Sequence, residues 1–509
     1  MRTMYLEKGW YNQVSEEKKV KTPRMPKLWE ALLTMAFLVA MLALGIVKYG
    51  VDPHVPMFIG TLGAAMMALY LGYKWEAIEK AMMDGIYKAL QSVCILVIVG
   101  ILIGVWINAG VVPTMIFYGL KVLKPAIFFI ASVLICSITS LATGTSWGTM
   151  GTMGVALMGI GFGLGMSPGM TAGAVLSGAY FGDKMSPLSD TTNLAPAMAG
   201  TDVMTHVKGM ILPTGITYGI TLVAFGILGA MQYHGGDADM SRVTEFSGAL
   251  ESVFTINPLL LLPPVIVIVA VAMKMPAIPG ITLGIVSGAI LGMIFQSDCN
   301  MGTLFDYGMN GYYFSDEALA MFEATLTPET SYTMTRLLES GGVMGMMFSV
   351  SMTIIAMMFG GIMEDTHQLE VIVNSLKKLA KGPAGLVLLT ECTCVLSNAT
   401  MPEQYISIVV PGRMYAEEYR EMGLHPAVLS GALEGAGTVT SALIPWNTCG
   451  VFITSTLDIS AWGAGGYGPW ALFNWLMPII NWLCALVGLT LKDLDNKPYK
   501  KSKAAAKAE

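Results

Sequence analysis

Runs of roughly 20 apolar residues recur along the whole of this 509-residue chain, and they constrain the fold more than any other feature. Inside a bilayer no water can satisfy backbone N–H and C=O groups, so a crossing segment must bond to itself as a helix or close into a barrel. Helix-length runs select the helix. Composition agrees: 54% of residues are hydrophobic and 13% charged, with mean hydropathy +0.62, against about 25% charged in a soluble protein. The first run, Ala31–Val47, is long enough to stay in the membrane, and the polar residues before it do not resemble a cleavable signal peptide.

Charge sets the expected topology. Residues 1–30 carry Arg2, Lys8, Lys18, Lys19, Lys21, Arg24 and Lys27, and residues 491–509 carry six lysines. Basic flanks stay inside, so the sequence predicts a multi-pass plasma-membrane protein with cytoplasmic N-terminal segment and tail and an even number of crossings. The basic tail has no soluble domain beside it, which argues against a nucleic-acid partner. The segment Lys74–Lys88 mixes three Lys with three acids and belongs inside. Its counterpart Asp298–Thr335 has six acids and no Lys or Arg, which suits the outside. The chain therefore divides into a first transmembrane repeat (31–233), an inter-repeat loop (234–256) and a second repeat (257–490) inserted upside down relative to the first. The lysines of two amphipathic connectors, Pro113–Pro125 and Thr366–Pro383, are the exception to this charge pattern.

A duplicated hexapeptide points the same way. Ala-Val-Leu-Ser-Gly-Ala stands at Ala174–Ala179 and again at Ala427–Ala432. Each runs into a polar, glycine-bearing stretch within apolar sequence. Around 140–200 and 392–450 the runs are short, rich in Gly, Ser, Thr and Pro, and broken by charges. Backbone freed by such breaks survives in a membrane only when buried in protein or lining a cavity. The expected fold is all-α and polytopic, with two inverted-topology repeats, broken helices and re-entrant hairpins.

Four constellations carry chemistry. Thr143–Thr152 spreads five hydroxyls among three glycines, and hydroxyls with freed carbonyls suit a hard cation; Thr145 and Ser146 are its candidates. Gly182–Asn193 packs Asp183, Lys184, Ser189, Asp190, Thr191, Thr192 and Asn193 between apolar runs. Ionisable groups at that depth mark ion or proton pathways, although Asp183 beside Lys184 also reads as a structural ion pair. Leu396–Gln404 offers Ser397, Asn398 and Thr400 in a second break, with Glu403 nearby. Glu434–Ser441 offers Glu434, a candidate proton carrier, with Thr438 and Thr440; Glu391 ranks below it. Among these, Asp190, Thr191, Asn193 and Asn398 are the expected Na⁺ ligands. Five scattered His, no P-loop and no Walker-type Lys-Ser/Thr argue against an enzyme or an ATP-driven pump, and no cofactor is expected.

Ser177–Pro196 resembles the signature of NhaC-type Na⁺/H⁺ antiporters, a family that includes malate/lactate exchangers of the MleN kind. Gly437–Ser441 and Ile444–Asn447 are similar to its second-half motif. The resemblance implies the paired hairpins and broken helices of the ion-transporter superfamily, and Na⁺ export in exchange for H⁺ by alternating access. A Na⁺- or H⁺-coupled organic acid exchanger is the alternative. Na⁺ and H⁺ are then the transported partners, and small carboxylates and a second copy of the chain, as a homodimer, are further candidates. The family pattern places Arg after Leu429-Ser430 and Asp after Glu434; this chain has Gly431 and Gly435 there.

Overall fold

The computed structural model describes residues 23–232, 237–273, 275–377 and 382–499. The basic N-terminal residues before 23 and the lysines beyond 499 lie outside the described residues, as does His234.

The chain opens with α1 (Leu28–Leu42), α2 (His54–Leu71), the 34-residue α3 (Trp75–Asn108) and the short α4 (Val111–Val122). There follow α5 (Phe128–Thr143), α6 (Ser146–Thr149), α7 (Val155–Gly163), α8 (Pro168–Met185), α9 (Asp190–Ala199) and α10 (Val203–Gln232). A π-helical turn joins α6 to α7. The stretch expected as an inter-repeat loop holds a helix, α11 (Asp237–Val253). The second half brings α12 (Leu262–Ala272), α13 (Ala277–Phe295), three short helices α14 (Met301–Asn310), α15 (Asp316–Thr325) and α16 (Pro328–Leu338), then α17 (Gly342–Asp365) and α18 (Gln368–Lys377). It closes with α19 (Gly382–Thr400), α20 (Ile406–Glu421), α21 (Pro426–Ala432), α22 (Thr448–Leu457) and α23 (Leu472–Leu486). Among the described residues seven helices are long and apolar enough to cross a membrane, or up to nine if each of two bent pairs counts as one span.

The elements of the two halves correspond in order. Pro168 opens α8 and Pro426 opens α21, 258 positions later (426 minus 168). The same offset carries the end of α3 to the end of α17, α4 onto α18, and the N-cap Ser189 of α9 onto the N-cap Asn447 of α22. It also carries hydrogen bonds. Ser140 Oγ donates to the Ala179 carbonyl at 2.6 Å, and its counterpart Asn398 Nδ2 donates to the Gly437 carbonyl at 2.8 Å. The hexapeptides lie 253 apart (427 minus 174), so they stand five residues out of register in equivalent helices, about 7.5 Å along the axis. The repeat is real, but the hexapeptide is not its register.

Equivalent helices α3 and α17 pack against each other antiparallel, the relation that inverted repeats require. A Cβ on Gly85 would overlap the Met357 carbonyl and meet Gly361, whereas one on Gly100 would meet Gly342 and Met346. Early residues of one helix thus face late residues of the other, at both ends alike. Outside this core, α1, α2, α10 and α13 turn Leu32, Val39, Ile59, Val223, Ile227 and Ile290 outward, as a lipid-facing surface demands.

Replacing Gly85 by Val should force α3 off α17 and destabilise the protein by about 1–3 kcal/mol. Gly215→Ala, where nothing lies within 4 Å of the new methyl, is the neutral control. Thermal unfolding of the detergent-solubilised protein checks the pair, with a lowered midpoint expected for Gly85→Val alone.

Candidate functional site

Four helix breaks lie where the sequence predicts them, and each has a local cause. The break after α5 is Gly144, at φ 69°, where a Cβ would lie 2.7 Å from the Leu188 carbonyl carbon and 2.8 Å from the Ser189 nitrogen. Only glycine allows both the left-handed turn and that approach. Thr145 then runs extended, and its Oγ1 accepts from Gly148 N to start α6. The break after α8 spans Ser186–Ser189 and contains Pro187. Ser186 Oγ reaches back to the Leu141 carbonyl at 2.8 Å, tying it to the first break. In the second half Pro402 follows α19, and the Glu403 carboxylate accepts from Tyr405 N (2.6 Å) and Ile406 N (3.3 Å) at the start of α20. Asn447 caps α22 by accepting from Cys449 N, while its amide holds the Asn398 carbonyl at 3.1 Å. Freed backbone groups are thus met by residues of the neighbouring break, as a low-dielectric setting requires.

The breaks enclose a cavity of about 510 Å³. Thr145, Ser146, Asp183, Ser189, Asp190, Thr191 and Asn193 line it from the first half; Glu403, Gln404 and Tyr405 line it from the second. Val267, Val271 and Pro276 of the α12–α13 region form an apolar wall. Three carboxylates face the space and, among the described residues, no Lys or Arg does. Asp183 is 5% exposed and Glu403 2%, whereas Asp190 is exposed, with its Oδ2 3.5 Å from the Tyr405 hydroxyl.

Hydroxyls bind Asp183 on both oxygens: Ser189 Oγ donates at 2.6 Å and Ser146 Oγ at 2.7 Å. Ser189 occupies an N-cap position, yet its side chain turns to Asp183 instead of capping α9. Thr191 Oγ1 lies 3.0 Å from Ser189 Oγ and donates to Glu434 Oε1 at 3.1 Å. Asp183, Ser189, Thr191 and Glu434 therefore form one continuous polar chain, whose last link crosses from the first half to the second. Glu434 is fully buried in a π-helical turn, Leu433–Thr438, that continues α21. Its Oε2 has no hydrogen-bond partner of ordinary geometry, and neither has Thr438 Oγ1 beside it.

Of the remaining sequence candidates, Thr192, Asn398, Thr400 and Thr440 serve the frame. Thr192 donates to the Asp183 and Lys184 carbonyls, closing α8. Thr400 Oγ1 returns to the Leu396 carbonyl and Thr440 Oγ1 to the Ala436 carbonyl. Asn398 donates to Gly437 and Thr440 and does not line the cavity, and Ser397 Oγ is buried without a partner. Of the expected Na⁺ ligands, Asn193 spends its amide on the Pro187 and Ser189 carbonyls. Asp183 and Lys184 form no ion pair. Neighbours on a helix point about 100° apart, so Asp183 faces the cavity while Lys184 Nζ reaches Met210 Sδ at 3.1 Å on α10.

Sequence reasoning undervalued Glu403, Gln404 and Tyr405. The available signal was Pro402 followed by a carboxylate, which marks a helix start capped by an acid inside the membrane. Trp147, stacked on Phe452 of α22 with centroids 4.3 Å apart, also joins the halves beside the cavity.

An all-α membrane protein with paired broken helices around a polar cavity has the architecture of a secondary transporter. The model of the Na⁺/H⁺ antiporter family matches residues 178–489, and the chain belongs to that family. It is 35% identical over 473 residues to the malate-2H⁺/Na⁺-lactate antiporter of Bacillus subtilis, covering 93% of this chain and 97% of that protein. It is 34% identical over 459 residues to the Na⁺/H⁺ antiporter NhaC of Alkalihalophilus pseudofirmus, with 90% and 95% covered. The arginine/ornithine antiporter ArcD of Halobacterium salinarum is 34% identical over 488 residues, with 95% and 97% covered.

In a variant lacking native cysteines, Thr145→Cys and Asn193→Cys should react with a hydrophilic thiol reagent, because both line the cavity. Thr400→Cys and Thr440→Cys should resist it. Labelling followed by mass spectrometry distinguishes the two groups, with at least a roughly tenfold difference in rate expected.

Proposed function

We propose that this protein exports Na⁺ in exchange for H⁺ by alternating access around the cavity at the helix breaks. The supporting observation is the lining: three carboxylates, a ring of hydroxyls and, among the described residues, no basic side chain. Such a surface attracts cations and repels anions. Asp183 is the proposed exchange group, since its oxygens meet neutral donors, the Ser189 and Ser146 hydroxyls and the Ser146 backbone N–H, which release it readily to a dehydrated cation. A carboxylate that takes either Na⁺ or a proton makes the two compete, and competition at one site suffices for exchange. Asp190 at the exposed rim would gather cations and pass them inward. Glu434, reached through Ser189 and Thr191, would answer a change of charge at Asp183 from the other half. The basic ends support a cell-membrane protein with both ends cytoplasmic.

The names of the relatives span inorganic cations, organic acids and amino acids, so the substrate test must be broad. In proteoliposomes under an imposed pH gradient, acid outside and alkaline inside should drive Na⁺ or Li⁺ outward. Lactate, malate and arginine should not move. Proton-driven lactate movement requiring Na⁺ would favour organic-acid exchange instead.

Asp183→Asn should lower Na⁺/H⁺ exchange by roughly a hundredfold, since the proposed exchange group is lost. Asp190→Asn should weaken apparent Na⁺ affinity several-fold at low salt with little effect on maximal rate, because it acts by local concentration. An initial-rate series in Na⁺ separates the two, and full activity in Asp183→Asn would reject the assignment.

A further inference from the structure

A second buried charged cluster lies behind the cavity, and the exchange site does not account for it. Lys184 is wholly buried, donates to a thioether sulfur and forms no salt bridge among the described residues. A sulfur is a weak acceptor, so its charge needs compensation from further away. The carboxylates whose charges act on it are Glu434 and Glu391. Glu391 on α19 is 3% exposed and accepts from Asn481 Nδ2 of α23 at 2.7 Å. Asn481 in turn lines a void of about 20 Å³ bordered by Gly431, Thr490 and Lys492, enough for one water.

The surrounding groups set the charge balance. On α10, His206 is buried, with Nδ1 2.8 Å from Ser430 Oγ and Nε2 unpartnered. Asp183 lies on the cavity side of Glu434, the buried Cys394 and Tyr419 flank Glu391, and Lys492 stands across the void. One ammonium on which two buried carboxylates act leaves a net charge of −1 unless one carboxyl is protonated, and a low-dielectric interior strongly favours neutrality. In charge balance such a cluster holds one proton for two sites, a property of the pair and not of either residue.

Resting on the proposed Na⁺/H⁺ exchange, we propose that Lys184, Glu391 and Glu434 form a one-proton relay that carries H⁺ between the cation cavity and the void beside Asn481. Lys184 gives a proton to ionised Glu391 and recovers one from protonated Glu434, or the reverse. One proton moves, the cluster's charge is unchanged, and the flexible lysine stem allows the ammonium to follow the ionised partner. Gly431 and Gly435 fit this arrangement. A Cβ on Gly431 would approach Met210 at 3.9 Å, and one on Gly435 would approach Asn481 at 3.4 Å. Each glycine thus lies beside a residue that holds a member of the relay, Met210 for Lys184 and Asn481 for Glu391.

Two measurements test this. In proteoliposomes, Glu391→Gln and Lys184→Met should keep Na⁺/Na⁺ exchange within about twofold of wild type, because that mode moves no proton, while pH-driven Na⁺ flux falls at least tenfold. Glu391→Asp should restore coupled flux. Retained coupling in Glu391→Gln overturns the relay, as does equal loss of both modes without rescue by Glu391→Asp. Failure of wild type to move Na⁺ at all would reject the exchange reading and not the relay, which infrared spectroscopy tests without a substrate. Glu391→Gln, Glu434→Gln and the double variant should each lose the same single protonated-carboxyl band. Additive loss of two bands, or loss of none, overturns the relay.

Discussion

A backbone polar group inside a bilayer must find a partner in the protein, and this constraint organises the molecule. Each helix break frees carbonyls and amides that lipid cannot satisfy. Here the breaks come in pairs that satisfy one another: Ser186 Oγ on the Leu141 carbonyl, Trp446 Nε1 on the Ala399 carbonyl, and Thr448 N on the Pro402 carbonyl. Because each break needs its neighbour, the α5–α6 break is locked to the α8–α9 break and α19–α20 to the α21–α22 break. The polar cavity is the space left where the first-half pair meets residues of the second.

Within that frame the two halves have taken different chemistry. Equivalent positions hold Ser140 and Asn398, each donating to the corresponding carbonyl, so the scaffold is shared. Asp183 and Glu434 are not equivalent under the 258-residue offset, yet a chain of two hydroxyls links them across the halves. A rocking motion of one half against the other would have to change that link. The antiparallel contact of α3 and α17 provides a glycine-lined seam where backbones pack closely.

Much of the fold was legible in the sequence. Apolar runs of bilayer length, and Gly, Ser and Pro clustered in the breaks, follow from local physics. Of the candidate site, Thr145, Ser146, Asp183, Ser189, Asp190, Thr191 and Asn193 reach one cavity, because they fall in two breaks whose spacing repeats. Asn398, Thr400 and Thr440 looked equivalent by type, yet they bond to the frame. A hydroxyl on a helix returns as readily to the carbonyl four residues back as it faces a cavity, and the residue type does not tell which. The duplicated hexapeptide drew attention to the repeat but stands more than a turn from its register.

The sequence by itself determined that this chain is helical, membrane-spanning and built of two related halves, because hydrocarbon leaves the backbone few alternatives. Only the tertiary structure decided which polar groups meet. Successive side chains on a helix point about 100° apart, so Asp183 and Lys184, neighbours in sequence, enter different compartments. Thr191 and Glu434, 243 positions apart, share a hydrogen bond. Chain order fixes which groups are present, and the packing of one half on the other fixes which of them act together.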